Sequence, residues 1–422
     1  MTSFDLSARF FLQLAVICAA GRLCSAVGRR FLQPPVVCEM VAGVLLGPSL
    51  FGWIAPGASA WIFPREAMPI LFAASQLGLA LYMFCVGLEF RPELLATGWR
   101  SSVSVSLAGI AAPLVLGAGL GAWSHAQPGF FAPEVLRWQA MLFAGAAMCI
   151  TAFPMLARII VERGLSGTRV GALALAAGAC DDVAAWAMLA VLLAVLKSDA
   201  GIALSAIGGG LLFTAAVFFV ARPLARRLVA RAGPAALGMD GLGAALLGLM
   251  IAAWITDSIR LYAVFGAFLF GLSLPRGEFA RAVRERVEPV TTVLLLPTFF
   301  AYSGLNTRLG LLDSPALWAA AALVLLASTA GKGLACGLAA RLGGYTLAES
   351  AAVGTLMNSR GLMELILLNI GLERGVITPT TFTIYVLMAV ATTLAASPVF
   401  ELVRPYLSGG TRARAPSPSP VS

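Results

Sequence analysis

The chain has 422 residues, 59% of them hydrophobic and 12% charged, with a formal net charge of +9 and a mean hydropathy of +0.90. Water-soluble domains run at roughly 45–50% apolar and ~25% charged, so this composition excludes a soluble globular protein and identifies a polytopic membrane protein. In that setting the excess of basic residues marks orientation, and a nucleic-acid partner is not expected.

Apolar stretches long enough to cross ~30 Å of hydrocarbon, about 17–25 residues each, recur along the whole chain. Thirteen spans are expected, near 8–27, 34–51, 68–89, 101–123, 138–157, 170–196, 201–221, 236–256, 260–274, 290–307, 315–340, 347–370 and 380–403. The start, MTSFDLSARFFLQLAVICAA, lacks a basic leader and an A-x-A-like cleavage site, which predicts a retained first span and not a signal peptide. The end, GGTRARAPSPSPVS, is rich in Pro and Ser; it predicts a disordered cytoplasmic tail over 407–422 behind a transmembrane domain of 1–406, with no soluble domain following. All seven cysteines lie in apolar spans without a C-x-x-C pair and are expected as small buried hydrophobes. The single histidine, His125, falls in the loop after span four, where an exposed surface position is expected.

With loops numbered by the span they follow, the odd loops and the tail hold 19 of the 29 basic residues and the even loops hold 6. This asymmetry places the odd loops and the C-terminus in the cytoplasm and the N-terminus outside. The other four, Arg9, Arg22, Lys332 and Arg360, lie within spans; Arg9 and Arg22 are close enough to span ends to snorkel to the interface.

Ionisable groups deep in a bilayer cost at least ~2.5–3.5 kcal/mol each and mark ion pathways or proton relays. The deep set is Asp181 and Asp182 in span six, Lys332 in span eleven, Arg360 and Glu364 in span twelve, and Glu39 in span two. Lys332 is one of only two lysines. An amine, unlike a guanidinium, can lose its proton when buried, and that points to titration. Glu39 and Glu89 are read as packing or helix-end residues, and the pairs Gly43/Gly47 and Gly117/Gly121 as close helix contacts.

Two spans carry helix breakers beside polar groups: MCITAFPML in span five, with Thr151 and Pro154, and TLMNSRGLMEL in span twelve, with Asn358, Ser359, Arg360 and Gly361. Freed backbone groups at membrane depth are tolerated only where protein or a cavity surrounds them. Spans five and twelve are an odd number of spans apart and must run in opposite directions. If spans 2–6 (about 34–196) and 9–13 (about 260–403) form two five-helix units, each broken segment is fourth in its unit. That is the pattern of an inverted repeat whose half-helix ends meet near the midplane. Half-helix termini carry partial charges of both signs, so a carboxylate pair beside the crossing would find counter-dipoles and a water-accessible cavity. Asp181 and Asp182 point ~100° apart on a helix, which lets one face that cavity and the other a partner such as Lys332. A carboxylate there can hold either a proton or a small cation, and mutually exclusive occupancy is what exchange requires.

PPVVCEMVAGVLLGPSLFG (34–52), LYMFCVGLEF (81–90), CITAFPMLARIIVERGLSGTRVGALALAAGACDDVAAW (149–186), FGAFLFGLSLP (265–275), GKGLACGLAARLGG (331–344) and MNSRGLMELILLNIGL (357–372) resemble, in order, the motifs of the monovalent cation:proton antiporter-2 family, most nearly its cation/H⁺ exchanger branch. The resemblance implies the fold of the bacterial sodium/proton antiporters: an all-α membrane protein with crossed discontinuous helices, a mobile core and a dimerisation domain, working as a homodimer without a cofactor. It implies exchange of Na⁺ or K⁺ for protons by alternating access in a bacterial inner membrane. It also implies that Asp182 is the ion- and proton-binding carboxylate, Asp181 its companion free to pair with Lys332, and Thr151 a residue of the first crossing, with Arg360 and Glu364 in the second. Many exchangers of that branch carry Asn-Asp where this chain has Asp-Asp, the form found in electrogenic antiporters.

An intramembrane aspartyl protease would place its aspartates on two helices, whereas these are adjacent and diverge; no enzyme is expected. A cation channel needs a continuous lined pore, and organic-anion symporters of the same fold lack the Asp-Asp/Lys set; both remain as alternatives.

Overall fold

A computed structural model of the chain describes residues 2–31, 33–89, 99–165, 168–195, 200–259 and 262–407. Of the expected tail, 408–422 lies outside the described residues. Among the described residues the secondary structure is helical, apart from one isolated bridge between Phe131 and Ile377.

The chain makes thirteen helical passages among these residues, in the order expected. The first is α1 (Ser3–Gly28), opened by a capping box between Thr2 and Asp5. It is followed by α2 (Pro35–Leu46), with proline in its first turn, then α3 (Met68–Glu89) and α4 (Trp99–His125). The fifth passage is broken into α5 (Arg137–Cys149) and α6 (Phe153–Glu162), and α7 (Arg169–Val195) completes the first set of five that begins at α2. A connecting pair follows: α8 (Ala200–Ala216) running through a π turn, Val217–Ala221, into α9 (Arg222–Ala232), and then α10 (Met239–Ser258).

The second set begins with α11 (Ala263–Ser273) and continues with α12 (Glu278–Val290), joined through a second π turn, Thr291–Leu295, to α13 (Leu296–Leu305). Next come α14 (Pro315–Leu342), the broken pair α15 (Leu347–Met357) and α16 (Leu362–Glu373), and α17 (Pro379–Val403). Ser314, Thr346 and Thr378 cap the N-termini of α14, α15 and α17 with their side chains. Eight of the described helical stretches are long and apolar enough to cross a membrane, and the broken and shorter ones complete the bundle.

The two sets pack alike. α2 lies on α13 as α3 lies on α11, and α4 packs on α5 and α7 as α14 packs on α15 and α17. Glycines allow the close approaches: a methyl added at Gly43 or Gly47 would overlap carbonyls of Phe300 and Gly304 in α13, and one at Gly87 that of Phe268 in α11. Gly117 and Gly121 meet the α5 backbone at Ala144, Gly145, Ala140 and Met141 in the same way, as their spacing predicts.

Several local expectations are corrected. The Arg-rich stretches 222–232 and 278–290, read from the sequence as loops, are helices continuous with spans seven and ten. α12 buries Phe279, Ala280, Val283 and Val287 on one face and turns its charges away; this amphipathic period conceals it from a hydropathy reading. His125 is not a free surface residue: it ends α4, half-buried, with Nε2 2.8 Å from the Val135 carbonyl. Cys18, Cys24 and Cys180 are only half-buried, while the other four cysteines are buried. Glu89 ends α3 and pairs with Arg284 at 2.8 Å, the helix-end role expected.

Candidate functional site

The site grows from the two broken passages. α5 stops at Cys149, Ile150 is extended (φ −68°, ψ 134°), and α6 restarts at Phe153. Pro154 is the second residue of α6, a position whose N–H has no helical acceptor, so this proline starts a half-helix and does not break one. On the other side α15 stops at Met357, Asn358–Gly361 are non-helical, and α16 restarts at Leu362. The breaks touch. The Ala152 N–H donates to the Ser359 carbonyl at 3.1 Å, and a methyl on Gly361 would stand 3.2 Å from Met155 Cγ.

Each half-helix leaves unpaired backbone groups at its cut end, and charged side chains meet those of α5. Arg360 donates through its two terminal nitrogens to the carbonyls of Ala147 (3.2 Å) and Met148 (2.6 Å). Lys332 Nζ, from α14, donates to the Cys149 carbonyl and to that of Gly109 at 3.2 Å. The negative end of α5 is thus covered by two cations from the second set of helices. The Arg360 peptide is itself held by Thr393 of α17: its N–H donates to Thr393 Oγ1 at 3.0 Å, and that hydroxyl donates to the Arg360 carbonyl at 2.8 Å.

Asp181 and Asp182 stand on α7 beside this crossing, 1% and 0% exposed, and their surroundings differ. Asp181 is saturated. Ser106 donates to Oδ1 at 2.6 Å, while Thr151 at 2.5 Å and Lys332 Nζ at 3.1 Å share Oδ2. Asp182 turns to the other half-helix: Oδ1 accepts the Phe153 N–H at the start of α6 at 3.4 Å, and Oδ2 has no hydrogen-bond partner among the described residues. The first carboxylate is a fixed counter-ion; the second keeps an oxygen open at the positive end of a half-helix. Both are sealed from the surface, as are Thr151, Lys332, Arg360 and Glu364 at 0% exposure. The pair is therefore buried in this structure, whereas the sequence suggested a water-accessible cavity beside it.

The sequence-predicted residues divide accordingly. Asp181, Asp182, Thr151 and Lys332 come together, with Ser359, Arg360 and Gly361 in the break that touches theirs. Glu364 lies in the first turn of α16, 3.7 Å from Arg360 Nη1, and neither of its oxygens accepts a hydrogen bond among the described residues. Asn358 turns away, its amide donating to Thr329 of α14 at 3.0 Å. Sequence reasoning missed Ser106, Gly109 and Thr393. For Ser106 a signal was present in SSVSVSL, where Ser102 and Ser106 share one face of an otherwise apolar span.

Residues 14–403 match the family described as sodium/hydrogen exchanger, transmembrane. The chain belongs to that family. It is a family of transporters and not of enzymes. Among its relatives is the Na(+)/H(+) antiporter NhaS4 of Synechocystis, 38% identical over 93% of this chain and 96% of that protein. Cation/H(+) antiporter 17 of Arabidopsis thaliana is 37% identical over 92% of this chain. The Na(+)/H(+)-K(+) antiporter GerN of Bacillus cereus is 26% identical over 93% of this chain and 95% of that protein. The chain spans about half the length of the plant relatives, 47% in the case of antiporter 17. A solved structure, the sodium proton antiporter MjNhaP1 from Methanocaldococcus jannaschii at pH 8, superposes with a TM-score of 0.58 over 95% of this chain and 99% of that one, at 18% identity. The exchanger has that antiporter's fold and is a multi-pass membrane protein.

Proposed function

We propose that this exchanger moves a monovalent cation, Na⁺ or K⁺, against protons, binding the two in turn at Asp182. The observation that carries the reading is the division between neighbours: Asp181 is satisfied by three donors, while Asp182 keeps a buried oxygen open at the N-terminus of α6. A carboxylate sealed from water needs a proton or a cation to offset its charge. The two guests compete for the same oxygens, so each expels the other. Lys332 neutralises Asp181 and covers the end of α5, Thr151 links the first crossing to the pair, and Arg360 locks the two breaks together. Exchange then requires the site to open to one side at a time, with residues 34–196 and 260–403 as the two inverted repeats. The names of the relatives, which include Na⁺/H⁺, K⁺/H⁺ and cation/H⁺ antiporters, support the choice of substrates. A homodimer in a bacterial inner membrane, N-terminus outside, completes the proposal.

The test is Asp182→Asn in proteoliposomes carrying a pH-sensitive dye, challenged in turn with Li⁺, Na⁺, K⁺ and Rb⁺. Cation-driven proton flux should fall to background while the protein still inserts and elutes as the wild type does. Flux at the wild-type rate would refute the assignment.

A further inference from the structure

Beyond Asp182, a further buried carboxyl group is left short of donors, at the second break. Glu364 sits in the first turn of α16 at 0% exposure. Among the described residues neither of its oxygens has a hydrogen-bond partner. The guanidinium beside it, Arg360, stands 3.7 Å away at Nη1, beyond hydrogen-bond reach. Both terminal nitrogens of Arg360 are spent elsewhere, on the carbonyls of Ala147 and Met148, and its Nε has no partner among the described residues. Two other ionisable groups lie near enough for their charge to reach Glu364. Lys332 of α14 donates to Asp181 and to two carbonyls, and Tyr385 of α17 is itself buried. Neither gives Glu364 a hydrogen bond.

An ionised carboxylate removed from water needs donors or a cation in contact. A charge-assisted hydrogen bond is also roughly twice as strong as one between neutral groups. Beside an ionised Glu364, the guanidinium would turn from the carbonyls to the carboxylate, and the idle Nε–H would be engaged first. The observed choice of acceptors is that of an arginine next to a neutral acid. We infer that Glu364 is a second proton-binding residue, protonated in this conformation, and that its proton decides whether Arg360 holds the end of α5. With the proton in place, Arg360 locks the two breaks together. Once it leaves, the guanidinium moves to the carboxylate, and the α5 end keeps only Lys332. Glu364 and Asp182 stand at different breaks and share no donor, so proton binding at Glu364 is independent of the exchange proposed at Asp182.

The test uses infrared difference spectra of the full chain in detergent, taken between acidic and alkaline buffer, which report the carbonyl stretch of a protonated carboxyl group. Asp182→Asn removes any contribution from the exchange site and should retain such a band. Adding Glu364→Gln should abolish it, and adding Glu364→Asp instead should restore a band at a displaced frequency. Asp182→Asn protein grown on carboxyl-labelled glutamate should show the band displaced, which tests the assignment even where the Gln variant does not fold. With Asp182 intact, Glu364→Gln holds Arg360 on α5, and cation-driven proton flux should vary less with pH than in the wild type. No band in Asp182→Asn, a band that survives Glu364→Gln, a band unmoved by the label, or a wild-type pH profile in Glu364→Gln would each overturn the inference. Flux in Asp182→Asn decides the exchange reading separately.

Discussion

The two broken passages share a backbone plan and divide the chemistry. At the first, the α5 end is covered by Arg360 and Lys332, and the α6 start faces a carboxylate from the next helix. At the second, among the described residues, the α15 end meets a hydroxyl, Thr151, whose oxygen lies 3.4 Å from the Met357 carbonyl, and the α16 start holds a carboxylate of its own first turn, Glu364. The helix that completes the first set brings two aspartates to its break; the helix that completes the second brings Thr392 and Thr393, which bond to backbone. One half of the fold carries the buried aspartate pair and the other supplies the cations that cover it and the α5 end. A repeated scaffold can therefore be read for function by asking where its halves stop matching.

That contrast can be broken by substitution, beginning with the largest effect. Asp182→Asn removes the open carboxylate of the first half, and all cation-dependent flux should disappear in the dye assay described above. Lys332→Ala strips Asp181 and the α5 end of a cation together. Removing one partner of a buried pair costs ~3–5 kcal/mol, so the thermal midpoint in detergent should fall sharply. Adding Asp181→Asn to Lys332→Ala should recover part of that loss, and a double variant no better than the single one would argue against the pair. Ser106→Ala deletes a neutral donor to a charged oxygen, an interaction of ~1.5–3 kcal/mol; denaturation should come earlier while cation affinity in the flux assay stays near wild type. Thr393→Val leaves the Arg360 N–H without its acceptor, at a cost of ~1–3 kcal/mol. Its signature is loss of stability with a wild-type cation order. A changed cation order would mean that the second half takes part in selection.

Much of this was legible in the sequence, because the bilayer makes certain residues expensive. The spans show as apolar runs, the breaks as Pro, Gly and Asn where a helix should continue, and Asp181, Asp182 and Lys332 as charges that hydrocarbon does not tolerate alone. Ser106 and Thr393 escaped because a hydroxyl can bond its own helix at little insertion cost, so its presence in a span signals nothing by itself. α9 and the amphipathic α12 were hidden by their arginines, which read as loop charge. Pro154 was found for the wrong reason, as a breaker inside a helix, when its place is the first turn of a new one. That the pair is buried follows from tertiary packing, which the order of residues does not encode locally.

The bonds across the two breaks carry one more consequence. Ala152 to Ser359, Arg360 to the last turn of α5, and Lys332 to Cys149 and Asp181 join both halves at several buried points. Uncovering Asp182 by loosening this knot would rupture many of those links at once, whereas carrying the knot bodily past its neighbours would rupture none. Under the exchange proposed above, travel between the two faces of the bilayer falls to seams outside the knot, and a cross-link spanning the knot itself should leave turnover intact.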